Sequence, residues 1–450
     1  MMKISVIGTG YVGLVTGSSL ANIGHDVTCI DNNEILIENL KNAIVPFYEK
    51  DLEDLIKKQI NKKLKFSLFD SDIIKNSEII LIAVGTPSDK DGIDLSYIKD
   101  SVREVATVLE NSTICNSIVI KSTVLPKTTD QVVRNILEDE FNLVHERDFG
   151  LGMNPEFLRE GEAVQDFLKP DRIVIGFEDN LTKKRLSEIY QNFTCEKIYV
   201  NSRTAEYIKY VNNSLLALQI SVNNEFANIS RNIGNINYEE VIKGISLDRR
   251  WSIEIDSKRI SPDIFDYFRP GYGYGGSCFP KDVKALYEYS KQLEQKSLIL
   301  ESVIEVNNLQ ANFVKEVISR KSELNQYLKI LILGTSFKPG TDDIRESVSF
   351  KILDICKSLN SEVYIHDPKS QLNFIDYVGD KSLISVNNWK KIIENMDYVI
   401  LSTPWQEYKQ IENLHKENKL NDVTIIDAKN FLNIDITHDN YFTAFYSNEV

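Results

Sequence analysis

Residues 3–13 read KISVIGTGYVG, a short apolar run that leads directly into a Gly-x-Gly-x-x-Gly pattern. The apolar run predicts a buried β-strand, and the residues after it predict a helix that ends at about Ile23. Within the pattern, Gly8 allows a tight turn, Gly10 lets the backbone approach a pyrophosphate, and Gly13 lets helix and strand pack closely. The helix N-terminus then offers amide donors to a dinucleotide.

A second predicted strand, Asp26 to Ile30, ends directly before Asp31. This acidic residue follows the glycine pattern at a spacing of about 20 residues, where a carboxylate accepts hydrogen bonds from the hydroxyls of an adenosine ribose. A carboxylate at this place also repels a 2′-phosphate. The sequence therefore predicts a dinucleotide-binding domain that prefers NAD to NADP, although Asp31 could also be a solvated residue at a strand end.

Two later apolar runs, Glu78 to Val84 and Ser117 to Ile120, predict further strands, and each leads into polar, turn-forming residues. In a doubly wound parallel sheet, the loops beyond the carboxyl ends of the strands line the ligand crevice. Thr86 and Thr123 are therefore candidates for contact with cofactor or substrate. Their spacing fits equally well with hydroxyls that only cap the next helix.

Segment 151–161 carries two glutamates beside a proline. If Pro155 begins a helix, Glu156 and Glu160 share one face at a spacing of four residues. Two carboxylates on one face could carry out acid–base chemistry or could form a solvated acidic edge.

A long helix is predicted from Thr204 to about Ile233, because apolar residues recur at helical spacing with neither Gly nor Pro. Lys209 and Asn213, four residues apart, lie on one face of this helix. We expect a helix of this length to bridge two domains and to pack against its copy in another subunit. The plain alternative for Lys209 is an ordinary surface lysine.

Residues 271–282 read GYGYGGSCFPKD, a glycine-rich stretch that turns into a helical pattern at about Phe279. Cys278 then lies at a helix N-terminus, where the helix dipole favours thiolate over thiol. Lys281 adds a cation, and Asp282, four residues on, brings a carboxylate back toward the sulfur. The alternative is a buried structural cysteine beside a loop that needs glycines.

A new βα series begins at Lys329–Gly334 and lacks the glycine fingerprint. Its first loop carries Lys338 and Arg345, which could hold a phosphate-bearing substrate or be ordinary loop charges. The predicted fold class is thus α/β, with two Rossmann-like doubly wound domains joined by a central long helix and a helical region.

The bulk composition excludes several classes of protein. The chain has 450 residues, 42% hydrophobic and 26% charged, with a formal net charge of -14. These values are typical of a soluble globular protein, and the acidic balance argues against nucleic-acid binding. No apolar run is long enough for a membrane span, so we expect a cytoplasmic protein. Five scattered cysteines without CxxC spacing argue against a disulfide framework and against a metal site.

Five motifs together make the chain resemble the nucleotide-sugar dehydrogenase family that includes the UDP-glucose and GDP-mannose dehydrogenases. They are GTGYVG at 8, GTP at 85, NPEFLREG at 154, GGSCFPKD at 275 and FKPGTDDIRES at 337. The resemblance runs from Met2 to about Phe431 and is strongest to members that act on UDP-glucose. It implies an NAD-binding domain at 1–203, a central helical region with a dimer-forming helix at 204–325, and a UDP-sugar-binding domain at 326–450.

By this resemblance the reaction is the NAD-dependent four-electron oxidation of UDP-glucose to UDP-glucuronate. Cys278 matches the residue that forms a thiohemiacetal and then a thioester with the substrate. Lys209 and Asn213 match residues that stabilise the developing oxyanion. Asp282 matches an aspartate that orients water or takes a proton. Homodimers or higher homo-oligomers are expected.

Further contacts are implied by the same resemblance. Glu160 matches a carboxylate that positions water or acts as a general base, and Glu156 and Thr123 match polar residues near the same water. The implied cofactor-binding residues are Gly8, Gly10, Tyr11, Val12, Gly13, Asp31, Thr86, Thr123 and Arg345. The implied substrate-binding residues are Glu156, Phe157, Leu158, Glu160, Lys209, Asn213, Tyr272, Tyr274, Gly275, Phe337, Lys338 and Arg345.

Other substrates stay open at this point. Relatives that act on UDP-N-acetylhexosamines carry a histidine before the cysteine, so Ser277 argues against them, whereas GDP-mannose dehydrogenases look much like this chain. A non-enzymatic nucleotide-sugar-binding protein is a minor alternative. The chain also departs from the family where Lys50-Asp51 replaces a common Pro-Gly, and either Arg259 or Arg269 could match the arginine that reaches a neighbouring subunit.

Overall fold

A mainly parallel sheet forms the centre of each of two units, Met1–Asn212 and Asn213–Val450, in the computed structural model of this protein. The structure describes residues 1–89, 92–110, 112–256, 258–323 and 326–448. Beside this two-unit division, the three domain ranges given above stay a prediction.

The sheet of the first unit follows the strand order β10-β9-β8-β7-β4-β1-β2-β3. Its strands are β1 (Lys3–Ile7), β2 (Asp26–Ile30), β3 (Leu64–Ser67), β4 (Ile79–Ile82), β7 (Asn116–Ile120), β8 (Phe149–Met153), β9 (Arg172–Phe177) and β10 (Glu196–Val200), and a separate hairpin pairs β5 (Ser88–Asp89) with β6 (Gly92–Ile93). All neighbours in the large sheet are parallel except β8 and β9. Six of these strands reproduce the strand order of a dinucleotide-binding domain.

Burial on both faces explains why the strands read as continuous apolar runs. Ile79 and Leu81 of β4 point into the core on one side of the sheet, whereas Ile80 and Ile82 point into the core on the other side. Successive side chains of a strand alternate between faces, so a strand covered on both sides has few polar positions. The covering helices are α1 (Tyr11–Asn22), α2 (Glu34–Lys41), α3 (Leu52–Gln59), α4 (Ser71–Lys75), α5 (Ser96–Leu109), α6 (Ala163–Leu168) and α7 (Asn180–Ile189), with π-helical segments at Thr128–Val133 and Ile136–Glu140.

The predicted long helix is confirmed as α8, Ser202–Ile233. It begins two residues earlier than expected and ends where predicted. Lys209 and Asn213 therefore lie one helical turn apart on a continuous helix.

The second unit contains a six-stranded parallel sheet with the order β15-β14-β13-β16-β17-β18. This is again the strand order of a Rossmann fold, as predicted for a half that lacks the glycine fingerprint. Its strands are β13 (Leu328–Leu333), β14 (Ser361–His366), β15 (Ile384–Ser385), β16 (Tyr398–Leu401), β17 (Thr424–Ile426) and β18 (Tyr441–Phe442), and β11 (Ile253–Ile255) pairs with β12 (Lys258–Ile260) in a hairpin. The helices are α9 (Tyr238–Ser246), α10 (Phe279–Gln292), α11 (Leu298–Leu309), α12 (Asn312–Lys321), α13 (Val348–Lys357), α14 (Gln371–Val378) and α15 (Ile411–Lys416), with 3-10 segments at Asp263–Phe268, Trp389–Lys391, Ile393–Asn395 and Gln406–Gln410.

Pro155 does not begin a helix. Residues 154–162 form an irregular loop, and α6 begins only at Ala163. The Glu156 carboxylate turns back to accept a hydrogen bond from the Leu158 amide at 2.6 Å, and Gly161 takes a φ of 84°. Glu156 and Glu160 therefore do not share a helical face.

Candidate active site

The glycine loop between β1 and α1 has the geometry that a dinucleotide pyrophosphate needs. A Cβ on Gly13 would lie 1.8 Å from the carbonyl oxygen of Gly8, and one on Gly8 would lie 2.9 Å from the backbone of Ala83. A Cβ on Gly10 would meet nothing within 4 Å, so the space above this residue is open to a ligand. Gly10 also precedes α1 without a capping side chain. This is the arrangement that the sequence predicts for a dinucleotide pyrophosphate at the first amides of α1.

Asp31 lies at the end of β2 and holds the glycine loop. Its Oδ2 accepts hydrogen bonds from the amide and the hydroxyl of Thr9, both at 2.8 Å, and its Oδ1 accepts from the Asn33 amide at 3.0 Å. The carboxylate is therefore fixed at the place where an adenosine ribose is expected. The second unit repeats this arrangement, since Asp367 after β14 accepts from the Thr335 amide at 2.7 Å.

Thr86 and Thr123 are brought together by the loops after β4 and β7. The Thr86 hydroxyl donates to the carbonyl oxygen of Thr123 at 3.0 Å, and the neighbouring Ser122 hydroxyl donates to the Val84 carbonyl at 2.6 Å. These bonds join the two strand ends that the sequence placed at the crevice. The hydroxyl of Thr86 serves as a link between loops in this structure.

Glu156 and Lys209 form a buried ion pair in the first unit. Their Oε1 and Nζ atoms are 2.8 Å apart, and the two side chains are 6% and 4% exposed. Burial pushes the pKa of Glu156 upward, but the charge and hydrogen bond of Lys209, together with the Leu158 amide and the Lys121 charge, outweigh this and hold it below its ordinary value. The ring of Phe157 lies 3.9 Å from the Arg172 guanidinium and 5.4 Å from the Lys209 ammonium. Lys209 is therefore not the surface lysine of the alternative interpretation.

A second buried lysine, Lys121, was not selected from the sequence. It follows β7 directly, and its Nζ donates to Asn154 Oδ1 at 2.9 Å, which also accepts from the Tyr190 hydroxyl at 2.6 Å. Burial lowers the pKa of Lys121 to about 8, and the nearby Glu156 charge opposes this shift. The sequence indicates a functional place for Lys121 only through its position near Thr123, in a turn at the end of a strand.

Cys278 is the N-cap residue of α10, as predicted, and Pro280 occupies the first turn. All five cysteines are present as thiols. Burial raises the pKa of both Cys29 and Cys356 to about 12, so these thiols are inert at neutral pH. Cys278 is half-buried at the N-terminus of α10 and so differs from these two thiols. Ser277 Oγ lies 3.5 Å from its sulfur.

The glycines before Cys278 allow three neighbouring elements to hold the loop. The Gly271 amide donates to Asn224 Oδ1 of α8 at 2.8 Å, and Asn307 of α11 exchanges two hydrogen bonds with the backbone of Tyr274, at 2.7 and 3.0 Å. A Cβ on Gly275 would lie 2.3 Å from the carbonyl oxygen of Glu346. At Gly275 the loop is therefore packed backbone against backbone, which excludes a larger residue there.

Asp282 is fixed by two hydrogen bonds in the first turn of α10. Its Oδ2 accepts from Asn213 Nδ2 at 2.6 Å and its Oδ1 from Lys281 Nζ at 2.7 Å, and its side chain is 1% exposed. Two predicted catalytic residues that are 69 positions apart in the sequence are thus in contact. The predicted approach of this carboxylate to the sulfur stays a prediction.

The predicted phosphate-binding residues lie on the loop between β13 and α13. A Cβ on Gly276 would lie 2.6 Å from the ring of Phe337, so this aromatic side chain packs directly on the cysteine loop. Arg345 is exposed, and its guanidinium and amide bind the Asp343 carboxylate at 2.7 to 3.0 Å. Lys338 lies on the same loop, with its ammonium 5.6 Å from the Phe337 ring.

The chain matches three models of one family, placed in order along its length. These are the NAD-binding domain of the UDP-glucose/GDP-mannose dehydrogenases over residues 2–194, the central domain over residues 203–309 and the UDP-binding domain over residues 331–434.

The chain belongs to the UDP-glucose/GDP-mannose dehydrogenase family.

Members of this family that are similar to the chain match it over nearly its full length. A UDP-glucose 6-dehydrogenase of Rickettsia bellii is 35% identical over 442 residues, with 96% of each chain covered. A UDP-glucose 6-dehydrogenase of Bacillus subtilis is 36% identical over 437 residues, with 96% of this chain and 94% of the relative covered. The protein is thus an NAD-dependent dehydrogenase of the UDP-glucose/GDP-mannose dehydrogenase family.

Solved structures of the family share the fold. A UDP-glucose dehydrogenase from Pyrobaculum islandicum superposes with a TM-score of 0.88 at 30% identity, covering 99% of this chain and 98% of its own. A UDP-D-ManNAc dehydrogenase from Pyrococcus horikoshii reaches a TM-score of 0.81 at 24% identity, covering 98% of this chain and 99% of its own. The fold is therefore common to enzymes named for different sugars, and the sugar must be argued from side chains.

Two kinds of feature are absent from the described residues. No group of three or more His, Cys, Asp or Glu side chains is arranged there to hold a metal ion. In the same ranges, no helix is both long and apolar enough to cross a bilayer.

Proposed function

We propose that this family member oxidises C6 of UDP-glucose in two steps and releases UDP-glucuronate, with Cys278 as the covalent nucleophile. The observation that carries this proposal is the position of Cys278 at the N-terminus of α10, followed by a buried Asp282 whose carboxylate binds Asn213. The names of relatives at 34 to 36% identity support UDP-glucose as the substrate.

NAD, for which the glycine turn after β1 is the predicted site, would supply the hydride acceptor for both oxidation steps at C6. The alcohol first loses a hydride and a proton, which gives an aldehyde. The Cys278 sulfur then adds to the aldehyde carbon and forms a thiohemiacetal. Loss of a second hydride, together with the hydroxyl proton, converts this adduct to a thioester, and water cleaves the carbon–sulfur bond to release the carboxylate and restore the thiolate.

Two groups stabilise the negative oxygen at C6 in this proposal. Lys209 carries a positive charge that its buried pair with Glu156 holds in one position. Asn213 can donate only through its amide nitrogen, and the Asp282 carboxylate selects the orientation in which this nitrogen faces it. Asp282 thereby orients the amide and can also accept a proton.

The water that cleaves the thioester is assigned to Glu160 as general base or positioning group. Thr123 and Glu156 contribute polar atoms to the same water in this proposal. Phe337, Lys338 and Arg345 bind the nucleotide part of the substrate, because a guanidinium fork and an ammonium suit phosphate oxygens.

We further propose that the protein forms a homodimer through α8. We also propose that it works in the cytoplasm, where UDP-glucuronate serves as a precursor for polysaccharide synthesis. Apolar side chains of this helix are half or more exposed, which supports a protein contact. They are Tyr207, Leu215, Phe226, Ile229 and Ile233, at 51 to 63% exposure. Five thiols fit a reducing compartment.

The substrate is tested by NADH production with purified enzyme and a panel of nucleotide sugars. We expect UDP-glucose to give two NADH per sugar, and GDP-mannose and UDP-N-acetylhexosamines to give rates lower by at least about a hundredfold, the effect of about 3 kcal/mol of lost contacts. Equal or faster turnover of GDP-mannose would assign the enzyme to the other branch of the family.

A further inference from the structure

Glu49 lies in the segment between α2 and α3, and its carboxylate is buried at 6% exposure. It accepts hydrogen bonds from three donors that are distant in sequence. The Tyr11 hydroxyl and the Gly161 amide donate to Oε2, the latter at 2.6 Å, and the Ala163 amide donates to Oε1 at 2.9 Å. A buried carboxylate requires such partners, and here they come from two functional loops.

Tyr11 connects Glu49 to the cofactor. It is the first residue of α1 and the fourth residue of the glycine fingerprint, so its backbone belongs to the pyrophosphate-binding turn. Its side chain packs on Phe47, with ring centres 5.0 Å apart, and burial together with the hydrogen bond to Glu49 raises the pKa of the phenol well above its ordinary value. The hydroxyl therefore stays protonated and donates.

Gly161 and Ala163 connect Glu49 to the loop that carries Glu160. Residues 154–162 are irregular, and besides bonds within the segment they are held from outside by Asp166, which accepts from the Arg159 amide at 2.8 Å, and by Glu49. Gly161 has a φ of 84°. Nearby, the Gln165 side-chain amide donates to Asp51 Oδ2 at 3.2 Å, which makes a second link to the segment between α2 and α3 that carries Glu49. One carboxylate thus joins the cofactor turn to the backbone next to Glu160.

We propose that Glu49 is a positioning residue through which NAD binding orders the loop that carries Glu160. When NAD fixes the conformation of the fingerprint turn, it also restricts the Tyr11 side chain. The hydrogen bond from Tyr11 then restricts the Glu49 carboxylate, which in turn restricts the amides of Gly161 and Ala163. The catalytic role of Glu160 rests on the proposed function, but the coupling between the two loops does not.

Hydrogen exchange of the segment 158–163 with and without saturating NAD tests the coupling, and it requires no turnover. NAD should slow exchange of this segment at least about fivefold in the wild type, the low end of usual coupling between sites. Tyr11→Phe and Glu49→Gln should reduce the effect to less than about twofold while NAD still saturates. Glu53→Gln, which changes an exposed glutamate paired with Lys57, is the matched control and should behave like the wild type. Unchanged NAD protection in both variants, or none in the wild type, would overturn the proposal.

Turnover separates positioning from a merely structural role. Glu49→Gln should lower kcat per folded molecule by at least about tenfold, in the range that misplacement of a catalytic group causes, with a change in NAD affinity of less than about threefold. A lower Tm with unchanged kcat would assign Glu49 to stability alone. If Glu49→Gln does not fold, Tyr11→Phe replaces it in the test, because this variant keeps the hydrogen bonds from the Gly161 and Ala163 amides to the Glu49 carboxylate. If UDP-glucose is not turned over, the exchange experiment still decides on the coupling.

Discussion

The side-chain amide of Asn213 donates to the carboxylate of Asp282, with 2.6 Å between Nδ2 and Oδ2. The same carboxylate accepts from Lys281 and is 1% exposed, so water cannot replace either bond. A buried charge with two fixed donors has one orientation. The contact therefore sets the geometry of the first turn of α10, directly after Cys278.

Loss of the Asn213 side-chain amide should lower the stability of the protein as well as its turnover rate. Asn213→Ala leaves one oxygen of a buried carboxylate without this donor, and we expect the free energy of unfolding to fall by about 1–3 kcal/mol. Urea denaturation measures this value. Asn232→Ala, at an exposed position of the same helix, is the control and should change stability by less than about 0.5 kcal/mol. Equal losses of unfolding free energy in the two variants would show that the Asn213–Asp282 contact has no special role in stability.

The cofactor preference should depend on Asp31. Its carboxylate is held by Thr9 at the strand end where an adenosine ribose is expected, and a carboxylate there would repel a 2′-phosphate. We expect kcat/KM for NAD to exceed that for NADP by about a hundredfold, the effect of about 3 kcal/mol for an unpaired, repelled charge. Asp31→Asn removes the repulsion and should reduce the ratio. Comparable kcat/KM for both cofactors in the wild type would contradict this role.

Buried Lys121 should make stability depend on pH above neutrality. Its pKa of about 8 in the folded protein lies below the unfolded value near 10.4, so the unfolded chain binds more protons between these pH values. Stability should therefore rise with pH in this window, and the difference between the wild type and Lys121→Met should change by about 2–3 kcal/mol from pH 7.5 to 10. Denaturant unfolding across this range measures it, with exposed Lys65→Met as the control. A difference that is constant with pH would mean that Lys121 does not titrate there.

A side chain at Gly276 in the cysteine loop should destabilise the protein more than one at Gly340. This residue and Gly340 both have positive φ, 81° and 86°, but only Gly276 has a neighbour in the way, since its Cβ would lie 2.6 Å from the Phe337 ring. Gly340→Ala should cost about 1 kcal/mol from backbone strain alone, and Gly276→Ala about 2–4 kcal/mol, because Phe337 must also move. Thermal unfolding and the KM for UDP-glucose should report both effects. Equal losses at the two glycines would show that Phe337 yields without cost.

Local patterns predicted most of the fold. The apolar runs of β1, β4 and β13 and the glycine fingerprint are determined by neighbours in sequence, and the structure has strands and a turn at these positions. The start of α10 at Phe279 was likewise predicted from a local pattern. The strand order of both sheets follows once parallel strands alternate with helices.

Distant contacts explain what the sequence did not predict. Pro155 followed by Glu156 is compatible with a helix, but hydrogen bonds from the Gly161 amide to the Glu49 carboxylate and from the Asn154 amide to the Ile120 carbonyl hold the segment irregular. Lys121 and Glu49 look like surface charges because burial is not visible in a single sequence. Their partners are 33 or more positions away.

The covalent role of Cys278 is tested most directly by intact mass and NADH counting with UDP-glucose on three enzymes: wild type, Cys278→Ser and Cys278→Ala. The wild type should release two NADH per sugar with no free aldehyde. In Cys278→Ser the ester hydrolyses slowly, because an alkoxide is a poorer leaving group than a thiolate, so NADH should stop after a burst comparable to the enzyme present. Its mass should then increase by one UDP-uronyl group. Cys278→Ala should form no adduct, and turnover of this variant to UDP-glucuronate at the wild-type rate would contradict the covalent mechanism.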